Sequence, residues 1–512
     1  MKLTKLFMGV FAAIIFVFTA VAQQTLPADM AYKIKREAFQ NSQMEALAFY
    51  MTDLAGPRLA ASRLCERAEL LMKDKLSEMG FSNVKIEKAD DFPKGGWDNV
   101  KTYAAMTAPY YCPFIATAKA WTGSTNGPVR GEVIFLDVNT EEDLEKYKGK
   151  LGNQIVLMPE TSKYEMLFTA FATRYTEEEL EQITADPRPQ AARASRRQTM
   201  SAGYGLQQKI RSFLAEEKPA AVISGGGSFN VPQSTRGVYS LHGDPEPVAE
   251  LVLPVEDHGR MIRLIAHQIP VAMEVDVKNE FYDNPVINNV FAEIPGIDGK
   301  LKEEVVLLGG HWDSWHGGTG AADNASGCMV MVEALRIIKE SGVQPRRTIR
   351  VALWGGEEQG LLGSLSYMQN LLYDTEAKKT RKGYDQFALY LNMDNGSGKF
   401  RGIYLEENDM AIPYFTEWNK ATASLGFGAI SPRRTGGTDH LSFNLIGLPA
   451  FQFIQDELEY GRGYHTSMDT YERLMLNDLQ YNAAVIALLA LSAAMDNGKI
   501  PPKPIPATLS FY

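Results

Sequence analysis

Two kinds of apolar spacing alternate along the chain and divide it into segments. Leu64, Ala68, Leu71 and Leu76 recur at roughly helical spacing, and Gly80 supplies a stop; a strand pattern follows. From about 119 to 282 the apolar residues come in short runs: "GEVIFLDV", "QIVLMPE", "PAAVISGGG", "ELVLPVEDHGRMIRLI" and "PVAMEVDV". Turn residues separate them, which predicts a β-rich unit. Within that unit "TADPRPQAARASRRQTM" has no periodicity and predicts an exposed loop. From about 286, strand and helix patterns alternate. "VINNVFAEIPG" and "EVVLLGGH" predict neighbouring strands, and "NASGCMVMVEALRIIKESG" a helix ending at Gly342. Further strands are expected at 348–354, 387–393 and 449–454, and a last helix from about 477 to 496.

This alternation predicts an α/β fold with a mixed, mostly parallel sheet and helices on both faces. The β-rich unit at 119–282 interrupts it, so 23–118 and 283–500 form one domain and 501–512 a tail. A chain of 512 residues accommodates both units.

The first 22 residues follow neither pattern. Lys2 and Lys5 precede an apolar run closed by Ala20-Val21-Ala22, which reads as a secretory signal peptide cleaved near Ala22-Gln23. The mature protein is then exported, to a periplasm or the outside, without a stable membrane anchor. Subtracting the two lysines from 52 basic side chains leaves 50 against 62 acidic ones, a net charge near −12. Nucleic acid is therefore a poor partner. "AAVIALLALSAAM" is expected to be a core helix. The three cysteines lie far apart and allow at most one disulfide.

The chemistry-bearing residues gather at the predicted strand ends. His311 follows the strand at 304–308, Glu357 and Glu358 follow 348–354, and Asp394 follows 387–393. His465 comes some ten residues after 449–454, and Asp323 lies in the glycine-rich segment "GGHWDSWHGGTGAADNASG". Ligands bind outside the carboxyl ends of strands in open α/β sheets, so these groups can converge on one rim. A two-metal hydrolytic centre needs a bridging carboxylate, terminal histidines and carboxylates, and a free base beside the water. No HExxH, GxSxG, P-loop or GxGxxG is present. Singly, each residue has a structural alternative: Asp394-Asn395-Gly396 as a turn, Glu357-Glu358 as an acidic first helical turn.

With "GGHWDSW", "GAADNASG", "RRTIRVALWGGEEQGLLGS", "LNMDNGSG", "GGTDHLSF" and "YHTSMDT" in hand, the chain resembles the two-zinc exopeptidases of metallopeptidase family 28. The likeness is greatest to their glutamate-carboxypeptidase-like branch, and the 119–282 unit resembles a protease-associated domain. The resemblance implies two Zn²⁺ per chain, with Asp323 bridging, His311 and Asp394 on one ion, and Glu358 and His465 on the other. It implies Glu357 as general base, Asp313 orienting His311, and Tyr464 steadying the developing oxyanion. Asp439 and His440 would lie on the substrate side, and His316 carries no metal role. Short peptides are the expected substrates, with aminopeptidase or dipeptidase action favoured and a homodimer left open. Carboxypeptidase action is the alternative and needs a cationic pocket, for which Arg433, Arg434 and Arg462 lie near the right motifs. A single-zinc acyl transferase and an inactive receptor-like binding protein are the readings from other classes.

Overall fold

The computed structural model describes residues 25–92, 95–159, 164–185, 193–239, 247–283 and 285–509. The expected signal segment lies outside them.

The chain builds two eight-stranded sheets. The strands of the first are β1 (Ser82–Asp91), β2 (Val286–Ile294), β3 (Val305–His311), β4 (Thr348–Trp354), β5 (Phe387–Asn392), β6 (Phe400–Tyr404), β7 (Ala429–Ser431) and β8 (Ala450–Gln455). Their order is β1-β2-β4-β3-β5-β8-β6-β7. The centre, β4-β3-β5-β8, is parallel, while β1 and β2 pair antiparallel at one edge. The expected adjacency of β2 and β3 is thus corrected: β4 pairs with both and stands between them. Hydrophobic runs cannot specify strand order, because every central strand buries both faces.

Helices cover both faces. Ser326–Glu340 and Leu476–Met495 pack together into the larger core with Val306, Leu308, Val351 and Leu391. Leu476–Met495 is long and apolar enough to cross a membrane, yet 83% of its apolar window is buried within the fold, as expected of a core helix. On the other face, Trp354, Tyr367, Phe387, Tyr390 and Phe443 form an aromatic cluster. Gly309 lies between these layers, where a Cβ would come within 2.7 Å of the Tyr390 hydroxyl. All three cysteines are free.

The second sheet runs Cys112–Pro113, Gly96–Ala108, Ala272–Tyr282, Val129–Phe135, Ile155–Leu157, Ala221–Gly225, Glu250–Leu253, Thr117–Ala118. It therefore recruits residues from 96 onward, not from 119. Gly96–Ala108 hydrogen-bonds along the whole of Ala272–Tyr282. Three local expectations also change. "VEDHGRMIRLI" is a helix, Val255–Ala266, opened by Pro254 and two acidic residues that suit the helix N-terminus. Residues 193–200, expected in a loop, begin the helix Arg193–Glu217, consistent with the helix propensity of Ala, Arg, Gln and Met; residues 186–192 lie outside the described residues. In Arg63–Glu78 the buried face is Cys65, Ala68, Glu69, Met72 and Leu76, while Leu64 points to solvent.

Candidate active site

The carboxyl ends of β3, β4, β5 and β8 deliver their side chains to one rim. His311 is the last residue of β3. Its Nε2 lies 3.2 Å from Asp323 Oδ1 and 3.3 Å from Asp394 Oδ1. His465 Nε2 lies 3.3 Å from Asp323 Oδ2 and 3.0 Å from Glu358 Oε2. The two oxygens of Asp323 therefore face different histidines. Donor atoms of His311, Glu357 and Asp394 lie within 4.8 Å of one another, as do those of Asp323, Glu358 and His465. His311 and Asp323 are buried, while Glu357, Glu358, Asp394 and His465 keep some exposure.

Five carboxylates, those of Asp313, Asp323, Glu357, Glu358 and Asp394, crowd around two imidazoles. Burial pushes the Glu358 carboxyl up to about 7 and lifts Glu357 well above the usual range, with Asp394, Asp439 and Glu358 adding to the latter. Burial works against a charge on His465, but its hydrogen bonds to Asp323 and Glu358 prevail and hold it at about 9. Glu358 Oε1 is buried without a hydrogen-bond partner among the described residues. Such an excess of buried negative charge is stable when cations or protons offset it, and oxygen–imidazole donor sets suit divalent zinc. The residues present fit a two-ion centre.

Asp313 lies against His311, as expected, and does a second job. His311 Nδ1 lies 3.0 Å from the Asp313 backbone carbonyl, and 3.7 Å from its carboxylate. A proton on Nδ1 donated to that carbonyl leaves the Nε2 lone pair facing the carboxylates. The Asp313 carboxylate also accepts the backbone N–H groups of Glu357 and Glu358, at 3.0 and 3.3 Å. It thus fixes the paired glutamates as well as facing the histidine ring.

The segment from His311 to Ala325 is held from three sides. Arg58, fully buried, donates to the carbonyls of Trp312, Thr319 and Gly320. Asp469 accepts the N–H groups of Ala322 and Asp323. Trp315 Nε1 donates to Glu358 Oε2 at 2.8 Å. The Asp323–Asn324 peptide is cis. Arg58, Trp315 and Asp469 went unassigned in the sequence. Trp315 and Asp469 lie in "GGHWDSW" and "YHTSMDT", so membership of those motifs was the available signal.

Tyr464 stacks on the His465 ring, centroids 3.6 Å apart, and is 41% exposed, beside the donor set. His440 and Asp439 are completely buried, and His440 Nε2 lies 3.6 Å from Glu406. Burial raises Asp439 to about 7. His316 stands apart from both donor groups: its Nε2 meets the Ala118 carbonyl at 2.7 Å, joining the two sheets.

Carboxylates and imidazoles massed on the carboxyl edge of a parallel sheet form an α/β site suited to metal-dependent hydrolysis. Residues 289–490 match Peptidase family M28. The chain is 24% identical to carboxypeptidase Q of Mus musculus over 460 residues, 89% of this chain and 86% of the relative. Over 200 residues it is 29% identical to aminopeptidase YwaD of Bacillus subtilis (strain 168), covering 38% of this chain and 42% of that one. The fold matches the crystal structure of a peptidase M28 precursor from Shewanella amazonensis SB2B with a TM-score of 0.66, at 23% identity, over 93% of this chain and 99% of the other.

Proposed function

We propose that this peptidase is an exopeptidase of short peptides that works with two zinc ions. The observation that supports this most is Asp323, whose two carboxylate oxygens face His311 and His465 separately. On this reading Asp323 would serve both ions, with His311 and Asp394 available to hold one and Glu358 and His465 the other. Bound there, the ions would supply Lewis-acid polarisation of the scissile carbonyl and help ionise a water. Glu357, carried by the turn that Asp313 pins, takes the proton of the attacking water and returns it to the leaving amine. The Tyr464 hydroxyl, at the open edge of the site, donates toward the carbonyl oxygen as charge builds on it. The second sheet is read as a protease-associated module beside the entrance, with Ser234 N–H donating to the His465 carbonyl at 2.7 Å.

The test is hydrolysis of dipeptides and tripeptides by the mature protein, abolished by a chelator and restored by zinc. Cleavage within long peptides blocked at both ends would contradict the exopeptidase reading.

A further inference from the structure

One segment of the second unit leaves its own sheet and fastens to the catalytic one. Met158 still hydrogen-bonds to Ile223 of the second sheet. Pro159 lines a cavity of about 540 Å³ between the sheets, which Trp315 and His465 also line. By Thr173 the chain has reached the first sheet's side, where Thr173 and Leu458 exchange backbone hydrogen bonds at 3.1 and 2.9 Å. Charge then locks the attachment. Arg174 reaches Asp456 at 2.8 Å and Asp478 at 2.7 Å, and Arg401 reaches Asp456 at 3.2 Å. Asp456 is buried, so these pairs escape much of the screening that weakens surface ion pairs. Farther on, the Ser431 hydroxyl of β7 donates to the Ile183 carbonyl at 2.7 Å.

The residues just before this attachment run along the open edge of the site. Tyr164 and Phe171 meet the Phe229 ring edge-on, with centroids 5.6 and 5.1 Å away. Arg462, close before Tyr464 and His465, lies over Phe171 and Phe229 at 4.7 and 5.5 Å. Ala172 shares the wall of a small cavity with Ala322, the neighbour of Asp323, and with Tyr460. Other side chains stand out from the fold: Met166 is 69% exposed and Phe168 92%. A long connection carries such bulk, fastened beside a reactive centre, when it controls access to that centre.

We propose that residues 164–173 are a barrier at the mouth of the site, filling the space a longer peptide would need and so limiting the enzyme to short ones. The proposal rests on the exopeptidase reading and adds where its length limit comes from.

The experiment compares kcat/KM for Ala-Leu and for Ala-Leu-Ala-Leu-Ala-Leu, whose two terminal bonds join the same residues. Wild type should favour the dipeptide by about tenfold or more. Replacing residues 165–170 by Gly-Ser-Gly leaves Thr173 and the ion pairs in place. The preference should then fall by about tenfold through a gain on the hexapeptide, with Ala-Leu changed less than about threefold. Arg174→Gln keeps the segment's length, loosens its fastening and keeps the test decisive should the shortened chain misfold; its preference should fall by about threefold. A wild-type ratio near one, an unaltered ratio in a folded shortened chain or in Arg174→Gln, or equal losses on both peptides overturns the proposal and leaves the exopeptidase reading standing. Cleavage by wild type of the same hexapeptide blocked at both ends, or of no short peptide at all, overturns the exopeptidase reading and this proposal with it.

Discussion

The two sheets obey one rule and put it to different uses. Each has four parallel strands whose carboxyl ends leave a crevice. In the first sheet those ends deliver His311, Glu357, Glu358, Asp394 and, through a loop, His465. In the second, the corresponding ends at Met158, Pro159, Ser224, Gly225 and Gly226 form a cavity wall with no metal-donor pair. Parallel topology places a crevice, and the side chains at its edge decide whether it reacts or merely holds. The crevices meet at Trp315 and His465, which belong to the first sheet's loops and line the second sheet's cavity.

This contrast can be broken at several points. The largest effect is expected from Asp323→Ala, which removes the carboxylate that faces both histidines. Metal content should drop and peptidase activity fall by several orders of magnitude, whereas Ser224→Ala, on the other rim, should change kcat less than about threefold. Retention of full metal content and activity in Asp323→Ala would remove the basis of the contrast.

Arg58→Met is the next test. It leaves the carbonyls of Trp312, Thr319 and Gly320 without their buried donor. The loss should be on the order of 3–5 kcal/mol in urea unfolding. A loss below about 1 kcal/mol would show that the catalytic loop does not depend on this clamp.

The second sheet should reveal itself through pH. His258 packs against Gly225, and burial depresses its pKa from 6.5 to about 4. The unfolded chain then binds a proton between those values while the folded chain does not. Stability from this group is full above pH 6.5 and falls as pH drops toward 4, by on the order of 3 kcal/mol. His258→Leu should flatten that slope in thermal melts taken from pH 7 to pH 4; an unchanged slope would mean His258 is not its source.

The smallest effect is expected at the junction. Trp315→Phe keeps the ring and removes the N–H that holds Glu358 Oε2. A loss of roughly tenfold in kcat/KM is anticipated, in keeping with hydrogen bonds that orient a metal-binding carboxylate.

His311, Glu357, Glu358 and Asp394 were legible in the sequence because each ends or closely follows a predicted strand, whereas Asp323 and His465 lie in loops and were assigned through the resemblance. Strand order was not legible: β2, β3 and β4 are all strongly apolar, so nothing in their composition says that β4 takes the middle. The sheet boundary at 96 was missed because Gly96–Ala108 is mixed in polarity and half exposed. Asp313 orients His311, as the resemblance implied; that its backbone carbonyl makes the shorter contact while its carboxylate also holds the glutamate turn was not legible. Which atom of a residue makes a contact depends on backbone path, which spacing alone does not encode.

Glu357 is where the account is most exposed, because its carboxylate clusters with His311 and Asp394 as closely as a ligand would. The direct measurement is zinc per chain in wild type and in Glu357→Gln, with kcat taken on the same samples. Two zinc ions in both proteins, with kcat lower by about a thousandfold in the variant, is the predicted result. One zinc in wild type, loss of an ion in the variant, or a variant as fast as wild type would contradict it.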